Sequence, residues 1–88
     1  MKLRRFWIKF NLRLEDAPPA GVLAGCGVTA YSLQEAYEII GRQIFAGEPL
    51  PAVQKTIEDV DVSTLDPRHV RPNMGDCTKR GVWFPLGY

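Results

Sequence analysis

The chain has 88 residues, of which 45% are hydrophobic and 24% are charged, and its formal net charge at pH 7 is +1. A chain of this length has enough residues for only one hydrophobic core, so the sequence predicts a single domain. The composition argues against intrinsic disorder. A net charge so close to zero also lacks the basic excess that is typical of nucleic-acid-binding domains.

The first 14 residues begin like the basic region of a signal peptide. Three polar residues interrupt the apolar run that a signal peptide requires: Lys9, Asn11 and Arg13. No later stretch is long and apolar enough for a membrane span. We therefore expect a cytoplasmic protein without a membrane partner, in which Cys26 and Cys77 are reduced thiols rather than a disulfide.

Residues 3–14 alternate with a period of two, which predicts a strand with one buried face and one solvated face. The apolar face carries Phe6, Ile8, Phe10, Leu12 and Leu14. The opposite face carries Arg5, Trp7, Lys9, Asn11 and Arg13.

A loop rich in proline and glycine follows over residues 15–27, and a short strand is predicted over 27–31. The clearest local signal comes next. Ser32 and Glu35 form a capping box, in which Glu35 is expected to reach back to the backbone N–H of Ser32. Apolar residues at helical spacing then predict an amphipathic helix over 33–46, and Gly47 provides a left-handed stop.

Residues 50–62 fit two patterns. Leu50, Val53, Ile57 and Val60 have helical spacing, whereas their β-branched content favours a strand. We predict a strand over 53–62 with a bulge between Ile57 and Val60. A turn over 66–70 and a final short strand in "RGVWFPL" complete the chain.

These elements predict a small α+β domain: a sheet of three or four mostly antiparallel strands with one amphipathic helix packed on one face. An alternative order joins strand 27–31, helix 33–46 and strand 53–62 as a right-handed parallel crossover. The sequence leaves both the strand order and the oligomeric state open.

Charge is segregated along the chain. Residues 1–14 carry five positive side chains and no negative ones, whereas residues 48–66 carry five acids against Lys55 alone. The two segments either pair with each other inside the fold or present two faces to partners. The acids of the second segment are Glu48, Glu58, Asp59, Asp61 and Asp66.

The basic face of the first strand is one candidate site. Trp7 stands between Arg5 and Lys9, with Arg13 further along, which is how a sheet stacks an unpaired base while neutralising its phosphates. In the alternative, Trp7 covers the stems of its neighbours and the cations face acids on an adjacent strand, for which Asp59 and Asp61 are candidates.

Two arrangements of reactive side chains are candidates for a catalytic or a metal site. Asp66, His69 and Cys77, even with Cys26 added, match no zinc-binding spacing. Cys26 lies between two glycines and would be a nucleophile only if His69 met it in space; otherwise it is a small buried thiol. We therefore predict no catalytic residues, no metal and no cofactor, and a protein that is not an enzyme.

The segment "HVRPNMGDCTKRGVWFP" is a recognition surface, a structural clasp over the core, or both together. It is dense in donors and ends in Trp83 and Phe84. Neighbours on a strand face opposite sides, so one of these two aromatic rings is expected to point inward and the other outward. An outward ring among charged neighbours is typical of an interface anchor.

The stretches "GCGVTAYSLQEAYEII", "EDVDVSTLDPRHVRPNMG" and "RGVWFP" resemble a group of short bacterial stand-alone proteins, some of which look like immunity proteins of toxin–immunity pairs. The first stretch is also similar to the strand-to-helix step of HicB-type antitoxins, which are small α+β proteins. The resemblance covers about residues 21–86 and identifies no functional residues.

The leading hypothesis is a non-catalytic protein that neutralises a protein partner, as an immunity protein does for a toxin acting in the cytoplasm. Its acidic stretch would suit the basic active site of a nuclease. The alternative is a small RNA-binding or regulatory antitoxin-like module that uses the basic strand face. The predicted partner-binding residues are Glu58, Asp59, Asp61, Asp66, His69, Arg71, Arg80 and Trp83.

Overall fold

A computed structural model describes residues 2–88, which form a four-stranded sheet with one α-helix on one face. The strands are β1 (Arg4–Phe10), β2 (Cys26–Ala30), β3 (Val53–Glu58) and β4 (Gly81–Phe84), and the helix is α1 (Leu33–Gln43). The strand order is β3-β1-β2-β4, with every neighbouring pair antiparallel. The predicted α+β class is confirmed.

The alternation of β1 builds the core beneath α1. Phe6, Ile8 and Phe10 lie in one buried cluster with Ile39 and Ile40 of the helix. The β2 side chains on this face, together with Ala36 and Ile44 of the helical segment, complete what we call the helix-side core. Burial of these apolar surfaces is the main force that holds α1 on the sheet.

Helix α1 begins where the sequence predicts, with one difference in its cap. The Oγ atom of Ser32 accepts a hydrogen bond from the backbone N–H of Glu35 at 3.1 Å. The Glu35 carboxylate, however, accepts from the backbone N–H of Tyr31 at 2.9 Å rather than from Ser32. None of the helices in residues 2–88 has the length and apolar character needed to cross a lipid bilayer.

The helix ends at Gln43 rather than at residue 46. The backbone N–H of Phe45 donates to Ile40 O, and that of Gly47 donates to Gly41 O at 2.9 Å. Ala46 and Gly47 both have left-handed backbone, with φ values of +52° and +84°, which permits this closure. Backbone hydrogen bonds that span more residues than those of a regular α-helix satisfy the last carbonyls of the helix in this way.

A second core lies on the other face of the sheet. It contains the buried side chains of Trp7, Val60, Leu65, Val70, Trp83 and Phe84. Three of these come from residues 60–77, a largely irregular segment that we call the covering segment. The face of β1 that the sequence assigns to solvent is therefore partly buried, and Trp7 is only 7% exposed.

Strands β1 and β3 are both shorter than predicted. After Phe10 the N–H of Leu12 donates to Phe10 O at 3.1 Å, which turns the chain away, and Leu14 starts a 3-10 turn. Strand β3 ends at Glu58 because Asp59 is left-handed, with a φ of +55°. The strand thus ends where the sequence predicts a bulge, just after Ile57. The register between β1 and β3 shifts elsewhere, between Lys9 and Phe10.

One part of the crossover alternative is confirmed, the parallel direction of its two strands. Strands β2 and β3 both run antiparallel to β1, so they run parallel to each other. They are not neighbours, because β1 lies between them. Helix α1 therefore connects two parallel strands across an intervening antiparallel one.

Candidate functional site

A cavity of about 520 Å³ opens between the loop that follows β1 and the surface of the second core. We call it the proline groove; its walls include Leu14, Pro18, Pro19, Leu23, His69 and Phe84. A smaller cavity of about 300 Å³ shares His69 and Phe84 and extends toward Leu86. Leu14 is 78% exposed and Leu86 is 56% exposed, so the groove is bordered by unusually accessible apolar side chains.

The loop that forms one wall is held by contacts with the carboxyl end of the chain. Gly21 has a φ of +81°, and a Cβ atom placed there would lie 2.8 Å from Cβ of Pro85. The hydroxyl of Tyr88 donates a hydrogen bond to Ala20 O at 3.1 Å. A side chain at Gly21 would separate these two segments, so glycine permits the close approach that fixes the wall.

His69 lies on the rim of the groove in a turn organised by Asp66. Oδ1 of Asp66 accepts hydrogen bonds from the backbone N–H of Arg68 at 2.8 Å and of His69 at 3.1 Å. Its Oδ2 atom lies 3.3 Å from Nδ1 of His69. These hydrogen bonds lower the pKa of Asp66; the one from the Arg68 amide has the largest effect, and the one from the His69 amide comes next. Because Nδ1 faces the carboxylate, Nε2 of His69 remains available to a bound group.

The acidic stretch is partly neutralised within the fold. Arg4 donates to both carboxylate oxygens of Asp59, at 2.9 and 2.8 Å, and to Glu58 at 3.2 Å. The Arg4 side chain lowers the pKa of Asp59. Asp61 accepts from the backbone N–H and the hydroxyl of Ser63 and so caps a 3-10 turn. The oppositely charged segments of the sequence therefore meet at Arg4.

Both aromatic rings of the final strand are buried, so the prediction that one of them points outward is wrong. Trp83 is 1% exposed and Phe84 is 4% exposed. Gly27 pairs with Phe84 and Val28 pairs with Val82, so the register shifts at Trp83 and both rings join the second core. Trp83 contributes to folding and is inaccessible to a partner in this structure.

The basic face of β1 does not form an open stacking platform. The Trp7 ring packs against Trp83, with centroids 6.1 Å apart, and against Phe84, with centroids 5.5 Å apart. Arg13 has left the strand and pairs with Glu15 at 3.2 Å. Arg5 and Lys9 remain exposed on β1. A base could not reach the face of Trp7 unless the second core opened.

The two remaining predicted contact residues have different environments. Arg80 donates to the two carboxylate oxygens of Glu35 at 3.0 and 2.6 Å and lies 5.5 Å from the centre of the Tyr31 ring. It therefore connects the start of β4 to the start of α1. Arg71 is exposed, and its backbone N–H donates to Asp66 O at 3.0 Å, on the same turn as His69.

Cys26 and His69 do not form a catalytic pair. Cys26 is fully buried in the helix-side core, and burial raises its pKa to about 12. His69 belongs to the covering segment on the opposite face of the sheet. A buried thiol with so high a pKa is a poor nucleophile. Within residues 2–88, no group of three or more potential ligands is arranged to hold a metal ion.

Comparison of the chain with protein-family models, with curated proteins and with solved structures gave no match. Its function is therefore inferred from the surfaces described above. Among these surfaces the proline groove is the feature that sequence reasoning missed. The only local signal for it is the apolar character of "DAPPAGVLAG", a loop in which polar residues are the norm.

Proposed function

We propose that this protein is a non-catalytic binding protein that neutralises a protein partner, in the manner of an immunity protein for a toxin domain acting in the cytoplasm. The observation that supports this role is the proline groove. It combines exposed leucines with a wall anchored by Gly21 and Tyr88. Concave, largely apolar surfaces with prearranged walls are favourable docking sites because little ordering entropy is lost on binding.

The chemistry of the groove suits an apolar side chain of the partner. Leu14 and Leu23 offer exposed carbon surface, and His69 adds one hydrogen-bonding group at the rim. Interfaces concentrate their binding energy in a few apolar anchors seated in such pockets and surrounded by polar groups. Asp66 and Arg71 share the turn of His69 and provide that polar surround.

The acidic residues have a smaller part in this proposal than the sequence suggested. Glu58 and Asp59 already pair with Arg4, so a basic partner would have to compete with an existing salt bridge. Exposed ion pairs contribute little net free energy, and such competition changes association rates more than affinity. The centre of the proposed contact is therefore the groove rather than the acidic stretch.

The test is co-purification of the chain with the products of genes that adjoin its own. The proposal expects one of these products to bind the chain and to be inhibited by it. Leu14→Asp places a charge on the exposed wall of the groove and should abolish the complex. Gln34→Asp, on the exposed face of α1, adds the same charge away from the groove and should leave the complex intact.

Circular dichroism of both variants verifies that they fold, which is expected because Leu14 is 78% exposed and Gln34 is also accessible. Two results would overturn the proposal. In one, no neighbouring gene product binds the wild-type chain. In the other, Leu14→Asp and Gln34→Asp bind the partner equally well.

A further inference from the structure

We infer that the outer edge of β3 binds an acidic, extended segment of a protein partner as a fifth strand of the sheet. Strand β3 occupies the edge of the order β3-β1-β2-β4 and is six residues long. Within residues 2–88, no backbone hydrogen bond joins its outer side to another segment. An accessible edge of this length can pair with an incoming strand through main-chain hydrogen bonds.

The charge on this edge specifies the ligand. Lys55 of β3 lies directly opposite Lys9 of β1, and both side chains are exposed. Neither lysine forms an ion pair with any acid among the described residues. Like charges directly opposite on a sheet are unfavourable. This lysine pair therefore favours a ligand that brings negative charge to the same face.

The surroundings preserve this positive charge. The acid nearest in sequence on β3 is Glu58, which is engaged by Arg4 at 3.2 Å. Three arginines among the described residues are paired with acids, namely Arg4, Arg13 and Arg80, whereas Lys9 and Lys55 are not. Lys55 at the centre of β3 and Lys9 opposite it on β1 therefore lack a counter-charge.

The pleat of the sheet predicts the pattern of the ligand. A residue of the added strand directly opposite Lys55 would project from the same face as Lys55 and Lys9, so an acidic side chain belongs there. Its neighbours along the strand would project toward the face of α1. There Thr56 is already tied to the helix, with its hydroxyl 3.3 Å from that of Tyr37. Acidic residues at alternate positions of an extended segment fit this edge.

A second copy of the chain fits less well. Pairing two β3 strands would bring another Lys55 to the same face and add positive charge. A nucleic acid would meet the lysines but would leave the backbone groups of the edge without partners. An acidic peptide segment satisfies both features. This inference rests on the proposed function in one respect, that the partner is a protein, but it concerns a surface separate from the proline groove.

The experiment titrates the isotope-labelled full-length chain with a peptide of about ten residues that alternates threonine and glutamate. We expect amide resonance shifts concentrated in residues 53–58, slower hydrogen exchange of their outward amides, and weaker binding at high salt. Lys55→Glu should reduce affinity about tenfold. Lys79→Glu makes the same charge change on an exposed turn outside β3 and should have no effect.

Three results would overturn the inference: no binding of the acidic peptide, equal binding of a threonine–lysine peptide, or equal losses for Lys55→Glu and Lys79→Glu. Shifts produced at the same residues by a short single-stranded RNA but not by the peptide would assign the edge to nucleic acid instead. Leu14→Asp should bind the peptide normally. A failure of the proposed function, which rests on the proline groove, can therefore be distinguished from a failure of this inference, which rests on the edge of β3.

Discussion

The indole rings of Trp7 and Trp83 lie 6.1 Å apart, centroid to centroid, with an angle of 33° between their planes. This contact joins the first strand to the last, and Phe84 completes the cluster at 5.5 Å from Trp7. The sheet is therefore closed on its second face by aromatic side chains and by the covering segment rather than by a second helix. The carboxyl-terminal third of the chain is a structural component of the fold, and it also supplies His69 to the proline groove.

The first prediction concerns Gly27, over which the Trp83 ring lies. A Cβ atom at Gly27 would overlap Cη2 and Cζ3 of that ring, so Gly27→Ala must displace Trp83 from the second core. Overpacking of this kind destabilises a protein by about 1–3 kcal/mol. Urea denaturation followed by circular dichroism should show a lower free energy of unfolding for Gly27→Ala.

The matched control is Gly41→Ala in α1. The nearest atom to a Cβ there is Cδ2 of Leu50 at 3.8 Å, an ordinary contact. Alanine in a helix interior is more favourable than glycine by about 0.5–1 kcal/mol, so this variant should be stabilised. A loss of stability in both variants, or in neither, would contradict the account of how Trp83 packs.

The regular elements were predictable because their signals are local. The alternation of β1 and the cap of α1 at Ser32 are each contained within a few consecutive residues. The burial of Trp7 was not predictable in this way. Its neighbours Arg5 and Lys9 are polar, and the side chains that cover it come from residues 60–84, which show no sustained period. Burial by an irregular segment leaves no pattern in the strand that is covered.

The candidate site was predictable only in part, because it is assembled from distant segments. His69 was identified from its residue type, but its neighbours in the proline groove are Leu14 and the loop over residues 17–24. The prediction that one of the rings of Trp83 and Phe84 points outward failed because the register between β2 and β4 shifts at this point, so the two neighbours do not face opposite sides. Neither the loop contact nor the shift is encoded by a local motif.

A second prediction concerns the reactivity of the two thiols. Cys26 is fully buried and its pKa is raised to about 12 by burial, whereas Cys77 is only half-buried. Iodoacetamide at neutral pH should therefore modify Cys77 first, and Cys26 only as fast as the helix-side core opens. Mass spectrometry of the alkylated peptides over time measures both rates. Rapid modification of Cys26 in the native protein would contradict its placement, whereas addition of urea should accelerate it.

The third prediction is a pH dependence of the contact between Arg80 and Glu35. A hydrogen bond from the Arg80 guanidinium and, to a smaller extent, one from the Tyr31 backbone amide hold the pKa of Glu35 below its ordinary value. A carboxylate whose pKa is lower in the folded than in the unfolded chain stabilises the fold above the unfolded pKa, about 4.3 for glutamate. This stabilisation is lost as the pH falls through the folded pKa.

The measurement is the urea midpoint of wild type and Arg80→Gln at several pH values. Arg80→Gln should be less stable at pH 7, and the difference should shrink as the pH falls below about 4. Arg71→Gln removes an exposed guanidinium that forms no ion pair among the described residues, so its effect should not vary with pH. A constant deficit for Arg80→Gln across the range would show that Glu35 does not titrate as described.

The last prediction separates the two roles that the sequence allows for Trp7. As a member of the second core, 7% exposed and packed against Trp83 and Phe84, Trp7 should be essential for stability. Trp7→Ala should lower the free energy of unfolding by about 3–5 kcal/mol, measured by urea denaturation. A base-stacking residue would behave differently, because its removal weakens oligonucleotide binding and leaves the fold nearly unchanged.

Lys9→Ala, which removes an exposed neighbour on the same face, is the control and should change stability little. A fully stable Trp7→Ala protein that had lost affinity for single-stranded RNA would restore the nucleic-acid role and remove Trp7 from the core.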